Sequence, residues 1–545
     1  MSAAAAPGAR RPAGLALANF WVGFGLFAIA AILGLYQLLE RSGHLPASAS
    51  AYYESTTLHG VVMAYVLTTF FIVGFGFFVT ATALGRPLRA PRIAWAGFAT
   101  MLFGTLVAAF SIVSGKATIL YTFYPPQLAH WSFYAGAALL LVGSIPWIVI
   151  TMLMTRDWKR ENPGRPVPLA QFGMTACALL WAWTLVGVVA EVVFQLLPAS
   201  LGLASTIDVG LARALFAWTL HPIVYFWLIP AYVTLYTIVP KAAGGYLFSD
   251  EMGRVVFVML LVFSLPIGLH HIFVDPQQAA GWKLMHAFGT FLVAVPTLLT
   301  GFTVAASLET AGRLRGGRGL FGWIRALPWG EPVVLGGILA AILLLPGGFG
   351  GLVNASYAMD AMVHNTMWIT AHFHLIFGGT VVIMYFASAY ALWPKLTGRR
   401  LFSRRMANVQ LWTWFAGILT LTVPWHYLGL LWMPRRTAYS PYDPGIVARW
   451  RPWESVMIAG GVLLVVSGLL LVGNLLLTHL VRQRVADREP AYAETAVPLV
   501  SVPPLLNGFA LWNGLVAVLM LLAWAYPIGQ FFFMNVHKSL PWGPK

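Results

Sequence analysis

Residues 364–374 read His364-Asn365-Thr366-Met367-Trp368-Ile369-Thr370-Ala371-His372-Phe373-His374, and they lie in an apolar run that extends from about residue 360 to about residue 395. A run of that length with few charges is long enough to cross a bilayer as one helix. An imidazole inside such a helix needs a partner, because burying a polar group alone costs several kcal/mol. His372 and His374 are two residues apart, which is about 200° around a helix, so their rings point to opposite sides. On a regular helix they cannot share one metal ion.

The rest of the chain repeats the apolar pattern. Of its 545 residues, 59% are hydrophobic and 9% are charged, whereas apolar residues make up about half of a soluble domain. The reading is an all-α polytopic membrane bundle of about thirteen helices, at roughly 15–40, 56–84, 92–115, 127–154, 168–196, 210–240, 254–276, 281–312, 332–351, 360–395, 405–432, 455–481 and 505–535. Gly244-Gly245, the basic Gly-rich stretch 312–322 and the Pro-rich stretch 498–504 fall between spans, as helix stops should. No internal repeat or separate soluble domain stands out, so residues 1–545 read as one catalytic domain. The basic start with Arg10 and Arg11 precedes a run long enough to span, so the first helix reads as an anchor.

The net charge of +16 follows the topology. With the N-terminus cytoplasmic and the C-terminus outside, 23 of the 33 Lys and Arg fall on the inner face, including the clusters at 156–165, 313–325, 395–405 and 482–488, as the positive-inside rule expects. Nucleic acid is not needed to explain the charge. Arg435 and Arg436 are exceptions, adjacent in one outer loop. The single cysteine, Cys177, excludes an internal disulfide and a thiolate metal cluster, so any metal must rest on histidine.

The chain has 13 histidines. Six of them, His59, His221, His270, His271, His372 and His374, fall at similar depth beneath the outer face. A single one reads plainly as an interhelical hydrogen bond, but six at one depth point to metal, for which iron and copper suit imidazole. His372 and His374 can each hold one of two hemes flanking their helix, since heme iron is commonly ligated by histidine. His270 and His271 are about 100° apart, and Pro266 and Gly268 just before them can loosen the helix so that both rings converge on one copper ion. His221 would add a third ligand, and Tyr225 lies four residues later on the same helical face.

These motifs, His221-Pro-Ile-Val-Tyr225, Gly-Leu-His270-His271 and the run from His364 to His374, resemble the catalytic subunit of the heme-copper oxidase superfamily. The likeness extends from the run at His59 to Pro434-Arg435-Arg436 and is greatest for the B-type branch, the ba-type cytochrome c oxidases. The resemblance implies reduction of oxygen to water. His59 and His374 would ligate a low-spin heme, of b type, and His372 a high-spin heme, of a type, where oxygen binds. His221, His270 and His271 would bind copper, with Tyr225 crosslinked to His221 as a donor of an electron and a proton. Arg435 and Arg436 would pair with heme propionates, and Asp360 and His364 would help hold those of the high-spin heme.

Protons must reach this centre from the opposite face. Tyr225, Tyr232 and Tyr236 form one hydroxyl stripe on the sixth helix, and Thr297, Thr300 and Thr303 recur every third residue on the eighth, with Ser249 in a connecting loop. Such a stripe also occurs as ordinary packing between membrane helices, but its positions match the B-type uptake path. The A-type branch carries Glu where this chain has Ile223, so one path would serve both chemistry and proton pumping. A donor-side dicopper centre needs cysteines absent here and would sit on a partner subunit II, fed by cytochrome c or a similar donor. The expected location is a bacterial or archaeal plasma membrane. The alternatives are a nitric oxide reductase of the same superfamily, which places nonheme iron and carboxylates where the oxidase has copper, and a cofactor-free transporter, which leaves the histidines unexplained.

Overall fold

The structure is a computed structural model that describes residues 10–439, 442–481, 490–497, 501–533 and 538–539. The basic stretch 482–488 and residues 498–500 of the Pro-rich stretch lie outside the described residues. Long helices follow one another as α1 (Pro12–Arg41), α2 (Ala49–Ala83), α3 (Pro91–Val113), α4 (Trp131–Glu161), α5 (Leu169–Ser200), α6 (Val209–Ala242), α7 (Asp250–Ile272), α8 (Ala280–Leu314), α9 (Pro332–Ala355), α10 (Met367–Thr397), α11 (Arg404–Leu430), α12 (Pro444–Leu480) and α13 (Ala510–Phe533). Among the described residues, strand structure is limited to the antiparallel pair Ile207–Asp208 and Lys538–Ser539 and to isolated bridges.

Twelve of the thirteen helices are long and apolar enough to cross a membrane. The exception, α11, stands where the sequence places a span and has 27 residues, about 40 Å at 1.5 Å per residue. Two arginines, two asparagine or glutamine residues and His426 lower its hydropathy. It packs along α10 and α12.

Burial sorts the helices by role. The most apolar windows of α2, α6 and α10 are 94%, 89% and 83% buried, against 28% for α1 and 33% for α12. Interior helices are therefore the ones that carry His59, His221, His372 and His374. Among the described residues three stretches wind as π-helix: Val62–Leu67, Val192–Leu196 and His374–Val381. The last begins on His374 itself, and such segments recur where a helix must re-aim side chains.

Two expected helices are interrupted. The run expected as a helix over 360–395 divides, with a short helix Tyr357–Val363, a turn, and then α10 capped by Thr366, whose hydroxyl accepts from the Trp368 amide. The turn is held to the outer loop before α12, because Met367 N donates to Met433 O and Arg435 N donates to Asn365 O. Asp360 and His364 therefore stand outside the spanning helix. In α7 the regular helix stops at Ser264 and resumes as a 3-10 turn, Leu269–Ile272. Pro266 removes an amide there and cannot continue the helical ladder.

Candidate metal centre

The break in α7 turns His270 and His271 toward α6. Ring centroids lie 4.5 Å apart for His221 and His270, 5.9 Å for His221 and His271, and 4.2 Å for His270 and His271. One nitrogen from each ring comes within 4.8 Å of the others. Nε2 of His221 and Nε2 of His271 are buried with no hydrogen-bond partner, and unpaired buried polar atoms are rare enough to need a reason. The Thr290 hydroxyl donates to the His286 carbonyl at 2.6 Å and so accepts from His270 Nδ1 at 3.0 Å. That fixes the tautomer and leaves His270 Nε2 with its lone pair available. The donor set fits a metal ion that favours imidazole. The Tyr225 ring lies 4.9 Å from that of His221 at 54°.

His59 and His374 form a second pair, with centroids 6.3 Å apart and planes within 15°. Nδ1 of His59 donates to Ala30 O at 2.7 Å, and Nδ1 of His374 donates to Thr370 O at 2.8 Å. Both rings thus keep Nε2 available for a metal, with orientation set from behind. They line a largely apolar cavity, partly open to solvent, that also includes Tyr121, Phe377, Arg435 and Arg436. Its apolar walls with a few convergent polar groups suit an apolar cofactor that carries charged substituents. His372 faces elsewhere: a Cβ built on Gly350 of α9 would lie 2.7 Å from its Nδ1. The two histidines of α10 therefore serve different sides of the helix, as the 200° spacing requires.

Arg435 and Arg436 converge above the cavity. Arg436 adopts φ +61°, an uncommon left-handed conformation for a side chain of this size, and its guanidinium lies 5.6 Å from the Tyr121 ring centroid. Burial and the neighbouring Arg436 push the Arg435 guanidinium down to about 9, so this cation would gain most from an anionic partner. His364 Nδ1 donates to Asp360 Oδ2 at 2.7 Å, and burial pushes the Asp360 carboxyl up. Arg435, His364 and His372 all lie within electrostatic reach of His271.

The hydroxyl stripe is assembled in part, with α6 and α8 joined at two points. Tyr236 shares a hydrogen bond with Thr300 at 2.6 Å, and Tyr232 donates to Thr297 at 3.5 Å, joining α6 to α8. Thr303 donates to Leu299 O at 2.8 Å, and Ser249 caps α7 by accepting from Met252 N at 3.1 Å. Ser307, absent from the sequence reading, extends the series: it donates to Thr303 O and accepts from Phe248 N. Its position four residues after Thr303, on the same helical face, was the available signal. Thr290 was also missed, although it lies on the same helix, seven residues before Thr297. Glu309 pairs with Arg313 and Glu191 is buried, and neither joins the three-histidine group.

Residues 14–463 match the family described as cytochrome c and quinol oxidase polypeptide I. The chain belongs to that family. It is 41% identical over 509 residues to cytochrome c oxidase subunit 1 of Thermus thermophilus, covering 91% of this chain and 89% of that one. An alternative cytochrome c oxidase subunit 1 of Bradyrhizobium diazoefficiens is 26% identical over 428 residues, 71% of this chain and 68% of that one. Among solved structures, a chain of a heme-copper terminal oxidase dimer superposes with a TM-score of 0.94 at 36% identity, covering 98% and 95% of the two chains. The protein is the catalytic subunit of a terminal oxidase, embedded in the membrane by many passes. Family membership implies hemes and copper, and the histidine groups fit both.

Proposed function

We propose that the chain reduces oxygen at a centre built on His221, His270, His271 and His372, within the single catalytic domain 1–545. The observation that carries this is the convergence of three imidazoles, two with buried unpartnered nitrogens, beside Tyr225. Bound hemes and copper supply electron transfer and the reduction of oxygen. His59 and His374 hold the low-spin heme, of b type, each with its Nδ1 committed to a backbone carbonyl. His372 holds the high-spin heme, of a type, from the α9 side. His221, His270 and His271 hold copper, and Tyr225 donates an electron and a proton beside it, in keeping with the His221 crosslink that the resemblance implies. Arg435 and Arg436 bind propionates, with Asp360 and His364 acting together on those of the high-spin heme.

Protons enter from the cytoplasmic face past Ser249, Thr303, Thr300, Tyr236, Thr297 and Tyr232, one route for both chemistry and pumping. Ile223 offers no second acid beside the centre. Electrons come from cytochrome c, or a similar donor, through a dicopper centre on subunit II. The N-terminus is cytoplasmic and the C-terminus outside, in a bacterial or archaeal plasma membrane. The experiment is a cofactor assay on the purified enzyme: visible spectra of the reduced and carbon monoxide-bound forms, extraction of the hemes, and turnover with reduced cytochrome c.

A further inference from the structure

We propose that His286 is a positioning residue for the copper ligands, and that it ties the ligand turn in α7 to a carbonyl of the last helix, α13. This inference rests on the copper reading of His221, His270 and His271.

The break in α7 frees the backbone amides that precede His270, and they are buried deep in the bundle where no water replaces the lost helical acceptors. His286 supplies the acceptor. Its Nδ1 accepts from Gly268 N at 3.1 Å and more weakly from Leu269 N at 3.4 Å. A neutral imidazole can accept there only if its proton is on Nε2, and Nε2 donates to Ala523 O at 3.1 Å. That carbonyl is available because the residue four positions later is Pro527, which has no amide to offer it. Two prolines on different helices thus create an orphan donor set and an orphan acceptor, and His286 is the group between them.

The same residue reaches the ligands by a second route. Its backbone carbonyl accepts from Thr290, which in turn accepts from His270 Nδ1. Side chain and backbone of one residue therefore set both the turn that presents His270 and His271 and the tautomer of His270. The ring is fully buried and packs edge-on against Trp524, with centroids 5.1 Å apart. α13 lies beyond residues 14–463, the part matched to the family.

The test compares His286→Phe, His286→Asn and Pro527→Ala in the full enzyme. It measures copper per low-spin heme and the infrared stretch of carbon monoxide photolysed onto copper. Phe keeps the bulk and loses the acceptor, whereas Asn places an oxygen near the position of Nδ1. His286→Phe should lose most of its copper, or show a shifted and broadened copper carbonyl band, with the low-spin heme spectrum unchanged. His286→Asn should recover most of the copper and the band. Pro527→Ala restores an amide that competes for Ala523 O, and should shift the band while copper stays bound. Wild-type copper and band in all three variants would overturn the proposal. Equal loss in the Phe and Asn variants, with Pro527→Ala unchanged, would also overturn it, since ring shape alone would then matter. Absence of copper from the wild-type protein would instead strike the copper reading itself.

Discussion

His59 and His374 face each other across a cavity with ring centroids 6.3 Å apart, while His372, two residues before His374, turns its Nδ1 toward Gly350 on another helix. Two histidines of one short motif thus belong to different sites, and substitutions at them should separate. His372→Ala is predicted to abolish the carbon monoxide-reactive heme and leave the low-spin heme. His374→Ala should remove the low-spin spectrum. Visible spectra with and without carbon monoxide check both, and an assembled variant that loses neither heme or both would contradict the separation.

Glycines near the two rings permit a gentler version of that test. A Cβ at Gly350 would come 2.7 Å from His372 Nδ1, and one at Gly34 would come 3.0 Å from His59 Cε1. Overpacking of this kind costs about 1–3 kcal/mol and displaces the ring it meets. Gly350→Ala is therefore expected to shift the carbon monoxide-bound spectrum alone, and Gly34→Ala the low-spin band alone. Identical spectral changes in the two variants would show that the rings do not report separate hemes.

Tyr225 lies beside His221 on one face of α6. Tyr225→Phe keeps the ring and removes the hydroxyl, so both hemes and copper should remain while oxygen reduction falls by roughly 100-fold or more, the scale of losing a positioned proton donor. Oxygen-electrode rates on a fully metallated variant decide this. A wild-type rate would remove Tyr225 from the chemistry and reopen the nitric oxide reading.

Thr300 accepts from Tyr236 and is fully buried. Thr300→Val leaves that hydroxyl unpaired, a loss of roughly 1–3 kcal/mol that corresponds to about ten- to hundredfold in a step that depends on it. Turnover should slow while the heme spectra stay unchanged. Unaltered turnover would place proton entry elsewhere.

The sequence made the spans and the histidine sides legible because both follow from helical periodicity and hydropathy. The loosening at Pro266 was readable for the same reason, since proline has a local and fixed effect. The division at His364–Thr366 was not, because it is set by Met433 and Arg435, which are distant in the chain and bond to the turn. Hydropathy alone also counts α11 unevenly, since its polar groups are satisfied by neighbours: Gln410 bonds Tyr390 and Ser467, and Trp414 donates to Gly378 O. The roles of Thr290 and His286 depend on contacts across the α7 break and with a helix 237 positions away, and no local pattern announces them.

The proposed oxygen-reducing centre pairs one heme with copper held by His221, His270 and His271. Its most direct test is elemental and heme analysis of the purified protein, combined with carbon monoxide difference spectra. The expected result is two heme irons and one copper per chain, with carbon monoxide binding one heme only. A nonheme iron in place of copper, or a protein without heme absorption, would contradict it.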